Sequence, residues 1–266
     1  MNLNYLECIE EINTHGFEET AIKVFQYQYQ NLIVYQQFCD LLHKQPSQVN
    51  RLKDIPFLPI SFFKTHSIKN SIFNNFNTIF KSSGTTGDTL SQHYIPSVKD
   101  YEANFKMNFE YFYGPVDDYV VLGLLPSYLE RKGSSLIYMV NQMIEDSQYA
   151  ESGFFLNNYN QLIHLLTELS STSKKVLLIG VSFALLDLVE QHSKQLHTLD
   201  LSNLVVMETG GMKGKVGGIN FVDLANVNTL SFVATQDLGK EISLNTFEIL
   251  GRFDHSDVRG CNLMMM

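Results

Sequence analysis

The stretch KVLLIGVSFALLDLVEQ, residues 175–191, decides the fold class. It begins with a short apolar run without polar alternation, which predicts a strand buried on both faces, and it continues with apolar residues at helical spacing. Buried runs and helical segments also alternate over 118–125, 133–144, 153–156, 160–169 and 204–209. This alternation predicts an α/β fold with a mostly parallel, doubly wound sheet.

The segments that flank this core have other patterns. Apolar residues at helical spacing over 17–43 predict one long amphipathic helix or two helices, whereas two prolines within 55–63 predict an extended connector. Glycine-rich sequence after Gly210 and short strand-like pieces predict a β-rich tail. The length of 266 residues fits one domain, 1–266, with a helical N-terminal segment (1–65), an α/β core (78–215) and a β-rich tail (216–266).

Composition excludes several classes of protein. Hydrophobic residues make up 44% of the chain and charged residues 18%, so the chain can bury a core. A formal charge of −9 without a Lys/Arg block disfavours nucleic acid as a partner. No stretch approaches the roughly 20 apolar residues that span a membrane, and the N-terminus lacks the features of a signal peptide. We therefore expect a cytoplasmic protein.

The three cysteines indicate a reducing compartment. Cys8, Cys39 and Cys261 lie far apart, and none forms a CxxC pair, which argues against a zinc ribbon or a disulfide framework. Cys8 and Cys39 have no motif around them, so we expect both to be core residues.

The strongest local motif is FKSSGTTG, residues 80–87, which follows the strand-like NTIF. Glycines interleaved with small hydroxyl residues allow a loop to fold around phosphate oxygens, with backbone N–H groups and hydroxyls as donors. The sequence does not satisfy the GxxxxGK[ST] pattern of a Walker A loop. A flexible polar turn is the alternative.

A second motif, GVSFA at 180–184, lies between a predicted strand and a predicted helix. It resembles a degenerate nucleophile elbow, in which Ser182 would be the nucleophile of a hydrolase. Asp223 or Asp237, followed by His255, would complete the chain order of such a site. The alternative interpretation is that Ser182 caps the helix that follows it.

A third cluster consists of TQDLG at 235–239 and LGRFDHSD at 250–257. A carboxylate in a turn after a strand, here Asp237, can accept hydrogen bonds from ribose hydroxyls, and Arg252 can reach a phosphate. Two charged surface turns are the alternative. No HxH or HxxxH spacing surrounds His255, so we expect no metal site made of protein ligands.

Taken together, these blocks resemble the acyl-protein synthetase family of the adenylate-forming superfamily, which includes the fatty-acid ligase component of bacterial luminescence. The likeness extends from about residue 15 to the C-terminus. It rests on six blocks in order, namely IPFLPISFFKTH (55–66), FKSSGTTG (80–87), LLPSYLERKGSSLIYMV (124–140), ETGGMKG (208–214), ATQDLGK (234–240) and GRFDHSDVRGC (251–261). One block of the family, similar to YGMTE, is missing between Lys215 and Val216.

The resemblance implies ATP-dependent activation of a carboxylic acid, such as a fatty acid, as an acyl-adenylate. Transfer of the acyl group to a thiol or an acceptor protein would follow. It further implies an abbreviated N-domain of the adenylate-forming type, with Mg²⁺ held mainly by phosphates and water. The residues implied in binding are Ser82, Ser83, Gly84, Thr85, Thr86 and Gly87 for the phosphates, Gly210 and Gly211 for adenine, and Asp237 for ribose. Arg252 would reach the ribose–phosphate region.

Cys261 is placed like the cysteine that carries the acyl group in the luminescence ligase, and Arg259 could lower its pKa. A small buried residue that ends a strand is the alternative for Cys261. For the whole chain, the alternative functions are a catalytically impaired remnant that binds a nucleotide or an acyl group, and the Ser182 hydrolase.

Overall fold

The structure is a computed structural model, and it describes residues 5–82, 89–125, 133–156, 158–209, 218–243 and 246–252. The chain divides into two units. The first consists of Met1–Asn104 and Met212–Asp257, and the second consists of Phe105–Gly211 and Val258–Met266. The segment boundaries predicted at residues 65, 78 and 215 rest on changes in sequence pattern along the chain, and they stay predictions.

The first unit begins with three helices, α1 (Tyr5–His15), α2 (Phe17–Asn31) and α3 (Ile33–Leu41). Two helices thus occupy the segment 17–43, and the break falls at Leu32. The backbone of Leu32 is extended (φ −110°, ψ 94°), and the residue forms an isolated antiparallel bridge with Asn70. The segment 55–63 is extended as predicted at β1 (Leu58–Pro59), after which the short helix α4 (Phe62–Thr65) begins.

Aromatic side chains fill the core of the first unit. Phe25, Tyr35 and Phe232 are fully buried. Their ring centroids lie 6.1–6.4 Å apart, and the Tyr35 hydroxyl donates to the Pro56 carbonyl at 2.6 Å. Phe25 on α2 and Tyr35 on α3 are therefore core residues, and both rings pack against Phe232, which lies on a strand about 200 residues later.

The strand in question is β9 (Phe232–Ser243), the longest in the first unit's described residues. Antiparallel β8 (Gly218–Val222) pairs with one edge of β9. Parallel β1 and antiparallel β10 (Thr246–Arg252) pair with successive parts of the other edge. A separate antiparallel hairpin joins β2 (Thr78–Lys81) to β3 (Gln92–Ile95), and α5 (Val98–Tyr113) follows it.

The second unit contains the parallel sheet, with strand order β5-β4-β6-β7. Its strands are β4 (Tyr119–Leu124), β5 (Gly153–Phe154), β6 (Lys175–Val181) and β7 (Leu204–Thr209), and its helices are α6 (Ser135–Asp146), α7 (Tyr159–Ser170) and α8 (Ser182–Leu196). Every residue of β4 and all of β6 except Lys175 are buried, which explains their unbroken apolar sequence. The predicted α/β class and parallel sheet are confirmed, and the remaining strands form a mixed sheet and a hairpin.

The strand order reverses between β4 and β6, which is the place where sheets of this kind bind ligands beyond their carboxyl ends. Close packing holds this part of the sheet together. A Cβ atom built on Gly123 of β4 would lie 2.7 Å from Cδ1 of Phe154 on the neighbouring strand β5.

Across the described ranges, no helix is both long and apolar enough to cross a membrane.

Candidate functional site

The hairpin β2–β3 carries the start of the SSGTTG motif. The Ser82 N–H donates to the Ser91 carbonyl at 3.1 Å, and the Ser91 N–H donates to Ser82 Oγ at 3.0 Å. These two bonds extend the hairpin by one pair beyond Lys81 and Gln92. The segment between Ser82 and Ser91 therefore starts and finishes at the same end of one hairpin.

One face of this hairpin encloses a histidine that the sequence analysis did not single out. His93 is the register partner of Phe80, so both side chains share a face, and the His93 ring makes an edge contact with Phe63 at 5.6 Å. Its Nε2 atom is shielded from solvent and has no hydrogen-bond partner within the described part of the chain. Burial lowers the pKa of His93 to about 4, so its imidazole is neutral at neutral pH. The sequence around it, Ser91-Gln92-His93-Tyr94, gives no signal that this histidine is shielded.

The opposite face of the hairpin is polar and positively charged. Lys81 and Gln92 are register partners on this face, together with Tyr94. The Tyr94 hydroxyl donates to Gln92 Oε1, and Lys69 Nζ lies 4.3 Å from the centre of the Tyr94 ring. Two lysines therefore lie close to the strand ends that carry the motif.

Asp237 lies inside β9, so the prediction of a turn after a strand is wrong at this position. The strand continues to Ser243 because β8 and β10 pair with its two edges. The Asp237 N–H donates to Thr235 Oγ1 at 3.2 Å, and Thr235 in turn donates to the Ile219 carbonyl at 2.9 Å. Asp237 is half-buried, and Arg252 of β10 is its register partner. The register thus brings together two residues that are 15 positions apart.

Ser182 is the first residue of α8, and the N-cap position before it is Val181. The cap has no side-chain hydrogen bond, so the interpretation of Ser182 as the N-cap residue is wrong by one position. A nucleophile elbow requires a strained strand-to-helix turn. Among the non-glycine residues that the structure describes, positive φ angles occur only at His43 and Leu156. The backbone at Ser182 therefore lacks the strain of an elbow.

Asp223 also has a structural role in the described residues. Its carboxylate accepts hydrogen bonds from the Ala225 N–H at 3.0 Å and from Asn226 Nδ2 at 2.8 Å. These bonds cap the short 3₁₀ turn Leu224–Asn226. These two hydrogen bonds occupy about half of the acceptor positions of the carboxylate.

Several predicted site residues lie outside the described residues, and their roles stay predictions. They are Ser83, Gly84, Thr85, Thr86 and Gly87 of the motif, Gly210 and Gly211, His255, and Cys261. The other two cysteines are confirmed as core residues. Cys8 and Cys39 are 1% and 0% exposed, and burial raises their pKa values to about 11 and about 12, so neither forms a thiolate readily.

Comparison with known families gives one match. Residues 3–96 match the family described as acyl-protein synthetase, LuxE, which amounts to 94 of the 266 residues. Neither the curated proteins nor the solved structures include a significant match. The matched region contains α1–α4 and the whole β2–β3 hairpin with its motif. The comparison therefore supports the acyl-protein synthetase family for this N-terminal part of the chain.

Proposed function

We propose that the chain activates a carboxylic acid, such as a fatty acid, with ATP and transfers the acyl group to a thiol or another acceptor. The match of residues 3–96 to the acyl-protein synthetase family carries this proposal, because the matched region includes the motif that begins at Ser82. On this proposal the second unit's parallel sheet belongs to an abbreviated N-domain of the adenylate-forming type.

The chemistry of the described residues fits a nucleotide in two respects. Lys69 and Lys81 place positive charge beside the strands that carry the motif, and positive charge favours phosphate. Asp237 offers a half-buried carboxylate that can accept hydrogen bonds from ribose hydroxyls, next in register to Arg252. Mg²⁺ would be bound mainly by phosphate oxygens and water and would neutralise phosphate charge.

The proposed reaction has two steps. An oxygen of the substrate carboxylate attacks the α-phosphorus of ATP, and the bond from that phosphorus to the pyrophosphate oxygen breaks, so that acyl-adenylate and pyrophosphate form. A thiolate then attacks the acyl carbon, and AMP leaves with the electron pair of the broken C–O bond. The protein has to orient the carboxylate and neutralise charge at the α-phosphate, and neither task requires a general base. We propose Cys261 as the acyl acceptor within the chain.

An impaired remnant that binds a nucleotide or an acyl group is the second candidate. The observation that favours it is the absence, between Lys215 and Val216, of the block that resembles YGMTE in the family. Such a protein would bind ATP without forming an adenylate. The Ser182 hydrolase has less support, because the backbone at Ser182 lacks the strain of an elbow.

The test is carboxylate-dependent exchange of labelled pyrophosphate into ATP, scanned across short, long and aromatic acids. We expect exchange with one class of acid, and we expect Asp237→Asn to reduce it about tenfold or more through a higher KM for ATP, since a charged hydrogen bond is lost. Asp117→Asn is the matched control, because Asp117 is exposed and the change in charge is the same. Its exchange should stay within about twofold of the parent.

Two results would contradict the proposal. If folded protein catalyses no exchange with any acid but binds ATP in calorimetry, the chain is the impaired remnant. If Asp237→Asn exchanges as fast as the parent, Asp237 does not bind the ribose. A Ser182→Ala variant that retains full exchange would agree with the proposal and exclude the hydrolase.

A further inference from the structure

A small cleft that is open to solvent lies in the first unit. The first turns of α5 line one side of it, and the turn that follows the 3₁₀ segment 224–226 lines the other. The lining residues that matter are Asp100, Tyr101 and Asn104 on α5, Ile95 before it, and Asn228 and Thr229 opposite. Two of these residues, Ile95 and Thr229, are buried at 6% and 5% exposure.

A chain of buried hydrogen bonds fixes the orientation of the Asn228 amide. The Ile72 N–H donates to Asn70 Oδ1 at 3.1 Å, so Asn70 Nδ2 must be the donor to the Tyr27 hydroxyl, also at 3.1 Å. Tyr27 then donates its own proton to Asn228 Oδ1 at 2.8 Å. Because an amide carries its acceptor and donor on different atoms, Nδ2 of Asn228 is left as a donor. This nitrogen has no hydrogen-bond partner among the described residues.

The first turn of α5 supplies the complementary acceptor. The Asp100 N–H donates to Ser97 Oγ at 3.4 Å, which holds Asp100 at the start of the helix. The Asp100 carboxyl is half-buried, and burial raises its pKa, against the opposing effect of a hydrogen bond with Ser97. A partly desolvated carboxylate makes stronger hydrogen bonds to a ligand than a fully hydrated one does.

The described residues that line the cleft include no Lys, Arg or His, so phosphate and carboxylate ligands have no charge partner among them. An oriented amide donor and a carboxylate acceptor instead match a group that donates and accepts at neighbouring atoms. Two adjacent hydroxyls do this, since one can donate to the carboxylate while the other accepts from the amide. The Tyr101 ring, Ile95 and Pro96 offer an apolar wall for the carbon face of such a ligand.

We propose that this cleft binds a vicinal diol, as found on a sugar or on the ribose of a nucleoside, between Asp100 and Asn228. The proposal rests on the cleft itself and is independent of the adenylation chemistry. Both residues act here as binding residues and take no part in the proposed reaction.

The test is an NMR titration of the full chain, followed at the side-chain amide of Asn228. The probes are cis-1,2-cyclohexanediol, whose hydroxyls are adjacent, and its isomer trans-1,4-cyclohexanediol, whose hydroxyls lie on opposite sides of the ring. We expect the 1,2-isomer to shift the Asn228 resonance with saturation and the 1,4-isomer to bind at least about tenfold more weakly, since only one hydroxyl can be engaged. Methyl xyloside and adenosine then distinguish a sugar source from a nucleoside source of the diol.

Two variants and one control complete the design. Asp100→Asn removes the acceptor charge, and Asn228→Asp removes the donor while keeping the oxygen that accepts from Tyr27, so the buried chain of hydrogen bonds survives. Each of these two variants should weaken binding of the 1,2-isomer about tenfold or more. Binding is monitored at the Tyr101 resonances. The control Asp117→Asn should bind the 1,2-isomer within about twofold of the parent. Equal binding of the two isomers, or unchanged binding by Asp100→Asn, would overturn the proposal.

Discussion

His93 is held as a neutral imidazole between the hairpin and the ring of Phe63. Its pKa is about 4 in the folded protein, against an ordinary value of 6.5. An unfolded chain therefore binds a proton at His93 below pH 6.5, whereas the folded chain binds it only near pH 4. The folded state thus loses stability as pH falls through this window, by about 3 kcal/mol in total, and it loses no more from this group at lower pH.

We therefore predict that His93→Phe reduces the acid sensitivity of the protein. Phenylalanine is apolar and takes up no proton, so the variant should gain stability relative to the parent by about 3 kcal/mol between pH 7 and pH 4. Urea unfolding followed by circular dichroism at both pH values measures this difference. His164→Gln is the control, because His164 is exposed, and it should give a difference near zero. A parallel pH dependence for parent and His93→Phe would show that the pKa of His93 is the same in the folded and the unfolded chain.

At the scale of elements, strand β4 approaches β5 closely at one glycine. Gly123 faces Phe154, its register partner, and the Val140 side chain also lies 3.2 Å from where a Cβ would be. A methyl group at Gly123 would displace an aromatic ring held between a strand and helix α6. Gly153, one residue before Phe154, has no atom within 4 Å of its own Cβ position.

These two glycines give a matched pair of substitutions. We predict that Gly123→Ala destabilises the protein by about 1–3 kcal/mol, because the core must absorb an overlap with Phe154. Gly153→Ala should stabilise the protein by less than about 1 kcal/mol, since alanine lowers the conformational entropy of the unfolded chain. Thermal unfolding of both variants tests this. Equal effects of the two changes would mean that Phe154 can move aside freely.

Elements of the second unit were the most predictable part of the fold. Runs such as 176–181 are apolar without interruption, and this pattern is typical of a short strand that is buried on both faces. The prediction that Asp237 lies in a turn was wrong because TQDLG has the residue types of a turn. In the structure, β8 and β10 pair with the two edges of β9, and this pairing keeps Asp237 inside the strand. Pairing of this kind depends on residues far away in sequence, so local composition cannot reveal it.

The candidate site was predictable only in its local parts. The SSGTTG motif is contiguous, so the sequence alone identifies it. The register of Asp237 with Arg252, the burial of His93 and the cleft between Asp100 and Asn228 all depend on the folded arrangement of separate segments. The orientation of the Asn228 amide depends further on a hydrogen-bond chain that begins at Ile72. No sequence pattern encodes that chain.

At the scale of the whole molecule, the first unit joins segments that are about 200 residues apart. Gln28 on α2 is fully buried, and its Nε2 atom donates to the carbonyls of Asn226 and Val227 and to Ser231 Oγ, each at 3.0 Å. Its Oε1 atom accepts from the Ser231 N–H, also at 3.0 Å. One side chain therefore satisfies four polar groups of the returning segment.

We predict that Gln28→Leu destabilises the protein by about 3 kcal/mol or more. Leucine is similar in size, but it leaves the Ser231 N–H and the Val227 carbonyl buried without these partners. Gln30→Leu is the control, because Gln30 is an exposed residue of the same helix, and its effect should be within about 0.5 kcal/mol. Urea unfolding measures both. A loss below 1 kcal/mol for Gln28→Leu would mean that water replaces the lost bonds.

The discontinuity of the first unit has a consequence for synthesis on the ribosome. Helices α1–α3 emerge early, but Phe232, which packs on Phe25 and Tyr35, is made about 200 residues later. At 5–20 residues per second, the nascent helices wait roughly 10–40 s with their aromatic face uncovered. The segment 105–211 is completed during this interval and can fold first. The second unit can therefore be completed before the first, and the aromatic face of the nascent helices is exposed to aggregation until Phe232 has been made.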